Sequence, residues 1–149
     1  MKYTFILLST LLLTGLSSFG QSTSANFEGA EANLKTYKAI YYLNDSSAKK
    51  IKSTLRNIKN TLEDPRLKGK IEIELVAFGD GVEVFKTTNH YDSLLTALQL
   101  KGVILAQCLN TMKERKIDKK ELWSFIGYVP TGNGEVIIRQ CQGWAVMHP

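Results

Sequence analysis

Cys108 is the residue of this chain best placed to do chemistry. It ends the apolar run Val103-Ile104-Leu105-Ala106-Gln107, and a polar, helix-like segment, Leu109 to Lys116, follows it directly. A thiol where a strand hands over to a helix lies beside backbone amides that have no partner inside the helix and carry partial positive charge. Such amides stabilise a thiolate, the nucleophilic form of cysteine. The competing reading is a small apolar residue filling the core. The other cysteine, Cys141, falls one helical turn after Ile137 on an apolar stripe, so structural filler facing the sheet is expected there.

Other reactive patterns are missing or incomplete. The two histidines, His90 and His148, are far apart and do not form a metal site by spacing. No Walker A pattern and no Cys-x-x-Cys occurs, so neither a cofactor nor a metal is expected. Gly79-Asp80-Gly81 and Gly132-Asn133-Gly134 each begin like a dinucleotide fingerprint, but Val84 and Ile137 stand where its third glycine belongs. They read as turns. His90 reads as a helix-start residue, and Asp45 and Asp80 as turn or capping residues able to polarise a ligand.

Elements must hold these residues in place. Tyr37–Leu43 has the aromatic and branched content of a first strand, and Asn44-Asp45-Ser46 the side chains of a helix-capping turn. Ile51, Leu55, Ile58 and Leu62 form one helical stripe that Asp64-Pro65 ends. In Lys70–Phe78, Ile71, Ile73, Leu75 and Ala77 alternate against Glu72 and Glu74, the pattern of a second strand. His90–Leu100 predicts a helix with Tyr91, Leu94, Leu95 and Leu98 inward, capped by Gly102. Val103–Gln107 reads as a central parallel strand covered on both faces. A short helix over Leu109–Lys116, a second from Asp118 through Phe125, a strand over Ile126–Val129, a helix from Gly134 bearing Val136, Ile137 and Cys141, and a last strand over Trp144–Met147 complete the order.

Strands alternating with helices predict an α/β fold: a three-layer α/β/α sandwich, flavodoxin-like in outline, with about five parallel strands. Ligands of such sheets bind beyond the carboxyl ends of the strands. Asn44, Asp45, Gly79, Asp80, Gly81, Asn110, Gly132 and Asn133 fall in loops at that edge and are the candidate binding residues around Cys108. The last helix runs away from that edge, which sets Cys141 about 12 Å from Cys108 at roughly 1.5 Å per residue. A disulfide spans only about 4.4–6.8 Å between Cα atoms, so no bond between the two is expected.

The chain has 149 residues and a formal net charge of +5. Met1–Gly20 has a lysine, a short apolar run and small residues at Ser18 and Gly20, the features of a cleaved export signal. Residues 21–36 read as a flexible tether and 37–149 as the single domain. The protein is therefore expected to be exported, periplasmic or secreted, with no membrane span. The densest positive patches, Lys49-Lys50 and Lys113–Lys120, contain or adjoin acids and read as solvated helix faces, which argues against nucleic acid as a partner.

From Tyr37 to Pro149 the sequence resembles the DsrE/DsrF-like family of small sulfur-relay-type α/β proteins. The resemblance rests on the order and spacing of Tyr41-Tyr42-Leu43-Asn44-Asp45, Arg56-Asn57-Ile58-Lys59-Asn60, Val76-Ala77-Phe78-Gly79-Asp80-Gly81, Gly102-Val103 leading to Cys108-Leu109-Asn110-Thr111-Met112, and Arg139-Gln140 with Gly143-Trp144. It implies a five-stranded parallel sheet and assembly into homo-oligomers such as trimers or hexamers. It also implies that Cys108 carries a persulfide and relays it to a partner protein. The alternative from the same residues is an exported, non-catalytic oligomer that binds a small ligand or partner, with Cys108 structural.

Overall fold

In the computed structural model, residues 27–149 are described; the expected export signal and the start of the tether lie outside them. Residues 27–36 contain no helix or strand, and Glu31–Pro149 forms one unit. Its strands are β1 (Tyr37–Leu43), β2 (Ile71–Ala77), β3 (Ile104–Cys108), β4 (Gly127–Val129) and β5 (Ala145–Met147). The α-helices are α1 (Ala48–Glu63), α2 (Asp92–Leu100), α3 (Leu109–Arg115) and α4 (Gly132–Cys141). The sheet is parallel throughout, with strand order β4-β3-β2-β1-β5.

That order dictates the layers. From β1 to β4 each strand is added on the same side of the last, so right-handed crossovers set α1, α2 and α3 on one face. The return to β5, beyond β1, reverses the direction and sends α4 to the other face. The two cores obey this. Ala39, Tyr41, Leu43, Ile73, Leu75 and Leu105 point to the three-helix face, where they pack with Ile51, Leu55, Leu95 and Met112. Ile40, Val76 and Ala106, one residue out of phase, meet Trp144 and Val136 under α4.

Local chemistry explains the boundaries. The Ser47 hydroxyl accepts from the Lys50 amide at 3.3 Å and starts α1, and Asp64, extended before Pro65, ends it. Burying Ile51, Leu55 and Ile58 along one stripe contributes about 1.5–3 kcal/mol per side chain, which holds the helix on the sheet. At Gly102 φ is +86°, the left-handed conformation that closes α2.

Several expectations are corrected. One helix cannot cover a five-stranded face, so Ile104 at the start of β3 is 46% exposed, while Ala106 and Cys108 further along the same face are buried. Leu94 is half exposed on α2 rather than inward. His90 does not start a helix; it is a left-handed residue that ends the turn Thr87–Asn89. From Asp118 only the 3₁₀ turn Lys119–Glu121 forms, because Leu122 bridges to Lys86 and the Trp123 amide donates to the Phe85 carbonyl, drawing the chain out straight.

The largest correction concerns α4. Its sheet-facing side carries Gly132, Glu135, Val136 and Arg139, whereas Ile137, Ile138 and Cys141 are exposed. The cause lies in β2, where Glu74 is not solvated but buried in the α4 face. The Arg139 guanidinium lies 2.7 Å from its carboxylate, reaches Glu135 at 2.9 Å, and stacks on the Trp144 ring at 4.3 Å. Two carboxylates thus share one cation.

Burial raises the Glu74 pKa above its ordinary value, with Arg139 opposing the shift and Glu135 adding to it. A carboxyl whose folded pKa is raised binds its proton more tightly when folded. Its contribution to stability is therefore present at low pH and lost as pH rises from the ordinary carboxylate range through the raised value. Urea unfolding of the natural protein and of Glu74→Gln should show this: their stability difference shifts in favour of Glu74→Gln as pH rises through that window. A difference independent of pH would contradict the assignment.

Candidate functional site

β3 delivers Cys108 to the carboxyl edge of the sheet. Its side chain points to the α4 face, two residues beyond Ala106, and it is 4% exposed. Cys108 is also the N-cap of α3: Sγ accepts a hydrogen bond from the Thr111 amide at 3.3 Å. The Thr111 hydroxyl oxygen, buried as well, accepts from the Gly79 amide at 2.9 Å. One threonine thus ties the sulfur, the start of α3 and the loop after β2 together. Gln107, fully buried, donates from Nε2 to the Cys108 carbonyl at 3.1 Å.

The candidate binding residues gather on this edge, in two groups. Gly79, Asp80 and Asn110 belong to the cysteine's surroundings. Asp80 pairs with Arg115 of α3 at 2.7 Å, and the Asn110 amide donates to the Pro130 carbonyl at 3.2 Å, which joins the loop after β3 to the loop after β4. Asn44 and Asn133 instead line a cleft of about 520 Å³ with Tyr42, Phe78, Val136 and Val146. The Tyr42 ring stacks on Phe78 within this cleft at 5.8 Å, and on His148 outside its lining at 4.4 Å. Cys108 does not line it.

The remaining candidates, Gly81, Gly132 and Asp45, shape the backbone of the edge. A Cβ on Gly81 would fall 1.9 Å from the Leu43 carbonyl oxygen, and one on Gly132 would fall 2.3 Å from the Phe78 ring. Both glycines permit close approach. Asp45 accepts from the Ser47 amide at 2.6 Å, and this bond lowers its pKa below the usual carboxylate value. Thr111, Tyr42, Phe78 and His148 were not among the candidates. Thr111 was legible as a hydroxyl three residues after a capping cysteine. The aromatic neighbours meet only once the sheet assembles.

Both cysteines are free. Among the described residues, no group of three or more His, Cys, Asp or Glu side chains is gathered to hold a metal ion, and no helix is long and apolar enough to cross a membrane.

The sequence profile of the DsrE/DsrF-like family matches residues 29–149. A solved protein of unknown function from Methanobacterium thermoautotrophicum is similar in structure, with a TM-score of 0.71 at 26% identity over 76% of this chain and 99% of that one. No curated protein matches.

Replacing Thr111 by valine keeps its shape but removes the acceptor of the Gly79 amide. Leaving that donor without a partner should cost about 1–3 kcal/mol of stability in urea unfolding. Thr111→Ser, which retains the hydroxyl, should recover most of it. No loss in Thr111→Val together with a loss in Thr111→Ser would show that the methyl group, not the hydrogen bond, holds the loop.

Proposed function

The chain belongs to the DsrE/DsrF-like family, and on that premise we propose that it handles sulfur, with Cys108 as the carrier. One observation supports this reading above others: Sγ sits at the carboxyl end of an interior strand with a backbone N–H aimed at it. That donor would stabilise a thiolate before transfer and a persulfide anion after it. In the transfer, the Cys108 thiolate attacks the outer sulfur of a donor persulfide. A new S–S bond forms on Cys108, the donor's S–S bond breaks, and the donor leaves as a thiolate. Oxidation states balance, as in thiol–disulfide exchange, and no metal is needed.

Access is the step that requires motion, because Cys108 is buried. The loop Phe78–Gly81 and the start of α3 are the pieces that would have to part. Exposed apolar side chains at Ile104, Ile137 and Ile138 on the α4 side of the sheet support assembly into a homo-oligomer. The lysine and apolar run at the start of the chain support export.

Burial of the thiol also favours a second reading. In it Cys108 is structural, and the cleft of Tyr42, Asn44, Phe78 and Asn133 binds a small ligand or partner without chemistry.

Intact-mass analysis after exposure to polysulfide separates the two. It is best done in a Cys141→Ser background, since Cys141 is exposed and free. The carrier reading expects an added sulfur mass that disappears in Cys108→Ser. Unmodified protein, or an adduct that survives Cys108→Ser, would favour the binding module.

A further inference from the structure

Helix α1 holds most of the chain's net charge. It carries Lys49, Lys50, Lys52, Arg56 and Lys59 against one acid, Glu63, which places +4 of the formal +5 on this element. Three of these cations are ordered. Lys52, Arg56 and Lys59 follow at spacings of four and three, each one residue after a member of the buried stripe Ile51, Leu55, Ile58. A cationic stripe therefore runs beside the apolar one.

α2 lies alongside. Between the two helices is a groove of about 340 Å³ with an apolar floor of Leu55, Leu94, Ala97 and Leu98. Lys52, Arg56 and Lys59 line one side and Lys101 the other. Lys101 is already paired with Glu63 at 2.9 Å. Lys52, Arg56 and Lys59 are exposed and take part in none of the ion pairs of the described residues. Leu94, 48% exposed, is an apolar side chain left at the surface beside them.

The charge pattern selects the occupant. A second copy docked by the same groove would set these cations against their own copies, which is repulsive in an isologous contact. A single-headed anionic amphiphile would use one cation, yet the three are spread over about 10 Å of helix at roughly 1.5 Å per residue. A helix bearing an apolar stripe with carboxylates at the same three- and four-residue intervals matches both floor and rim. We infer that the α1–α2 groove docks an acidic amphipathic helix of a partner protein, its apolar side chains on Leu94, Ala97 and Leu98 and its carboxylates along Lys52, Arg56 and Lys59.

The probe is a labelled synthetic helix with leucines at i, i+3, i+4 and i+7 and flanking glutamates, followed by fluorescence anisotropy with the full chain. A scrambled peptide of the same composition should bind at least about ten-fold more weakly. The triple variant Lys52→Glu, Arg56→Glu, Lys59→Glu should lose binding by a similar factor, with its circular dichroism unchanged because all three side chains are exposed. Leu94→Gln should weaken binding with the charge stripe intact. Equal affinity for the scrambled peptide would overturn the inference in favour of charge alone. Binding to dodecanoate or to phosphatidylglycerol vesicles without binding to the patterned peptide would overturn it in favour of a lipid-like ligand or a membrane surface. No binding to any probe would refute it.

Discussion

Parallel strands cannot be joined by tight turns, and right-handed crossovers let the direction of travel decide which face each helix covers. Everything that positions the site depends on this constraint. Three crossovers in one direction build a face covered by α1, α2 and α3, and one reversal puts α4 on the other. Because all the strands run the same way, the loops after β1, β2, β3 and β4 emerge on one edge. Cys108 with Gly79, and Asn44 with Asn133, come to that edge in two groups although they are scattered in sequence.

The uneven layering carries an energetic cost that the structure offsets with charge. Under α4 the sheet buries Glu74, and a buried carboxylate is tolerated only when paired. Arg139 supplies the partner and Glu135 and Trp144 hold the guanidinium in place. The helix must therefore turn its polar side inward and leave Ile137 and Ile138 outside. The exposed apolar surface and the buried ion cluster are two consequences of one orientation.

The α/β class, strand order along the chain and most of the helix α1 boundaries could be read from periodicity, because Ile51, Leu55, Ile58 and the β1 and β2 runs follow their templates closely. The α4 orientation could not. Periodicity assumes that the apolar side of a helix is the inner one, and Glu74 inverts that rule from a strand sixty residues away in sequence. Leu122 likewise leaves the helical pattern after Asp118 because of a bridge to Lys86, a contact that local sequence does not contain. At the site, the edge position of Cys108 was legible from the end of its apolar run. The hydrogen bonds of Thr111 and the aromatic stack of Tyr42 with Phe78 and His148 depend on neighbouring strands and were not.

The proposed link between fold and function is a thiol that accepts a backbone amide at the end of β3, in a chain of the DsrE/DsrF-like family. The proposed chemistry requires Cys108 to hold a transferable sulfane sulfur. Cyanolysis tests it most directly. Protein loaded with polysulfide in the Cys141→Ser background and freed of excess reagent should release about one equivalent of thiocyanate per chain, the discharge of a single persulfide sulfur to a nucleophile. The same treatment of a chain that also carries Cys108→Ser should release none. Release that is absent from the first protein, or equal in both, would contradict the assignment of Cys108 as the carrier.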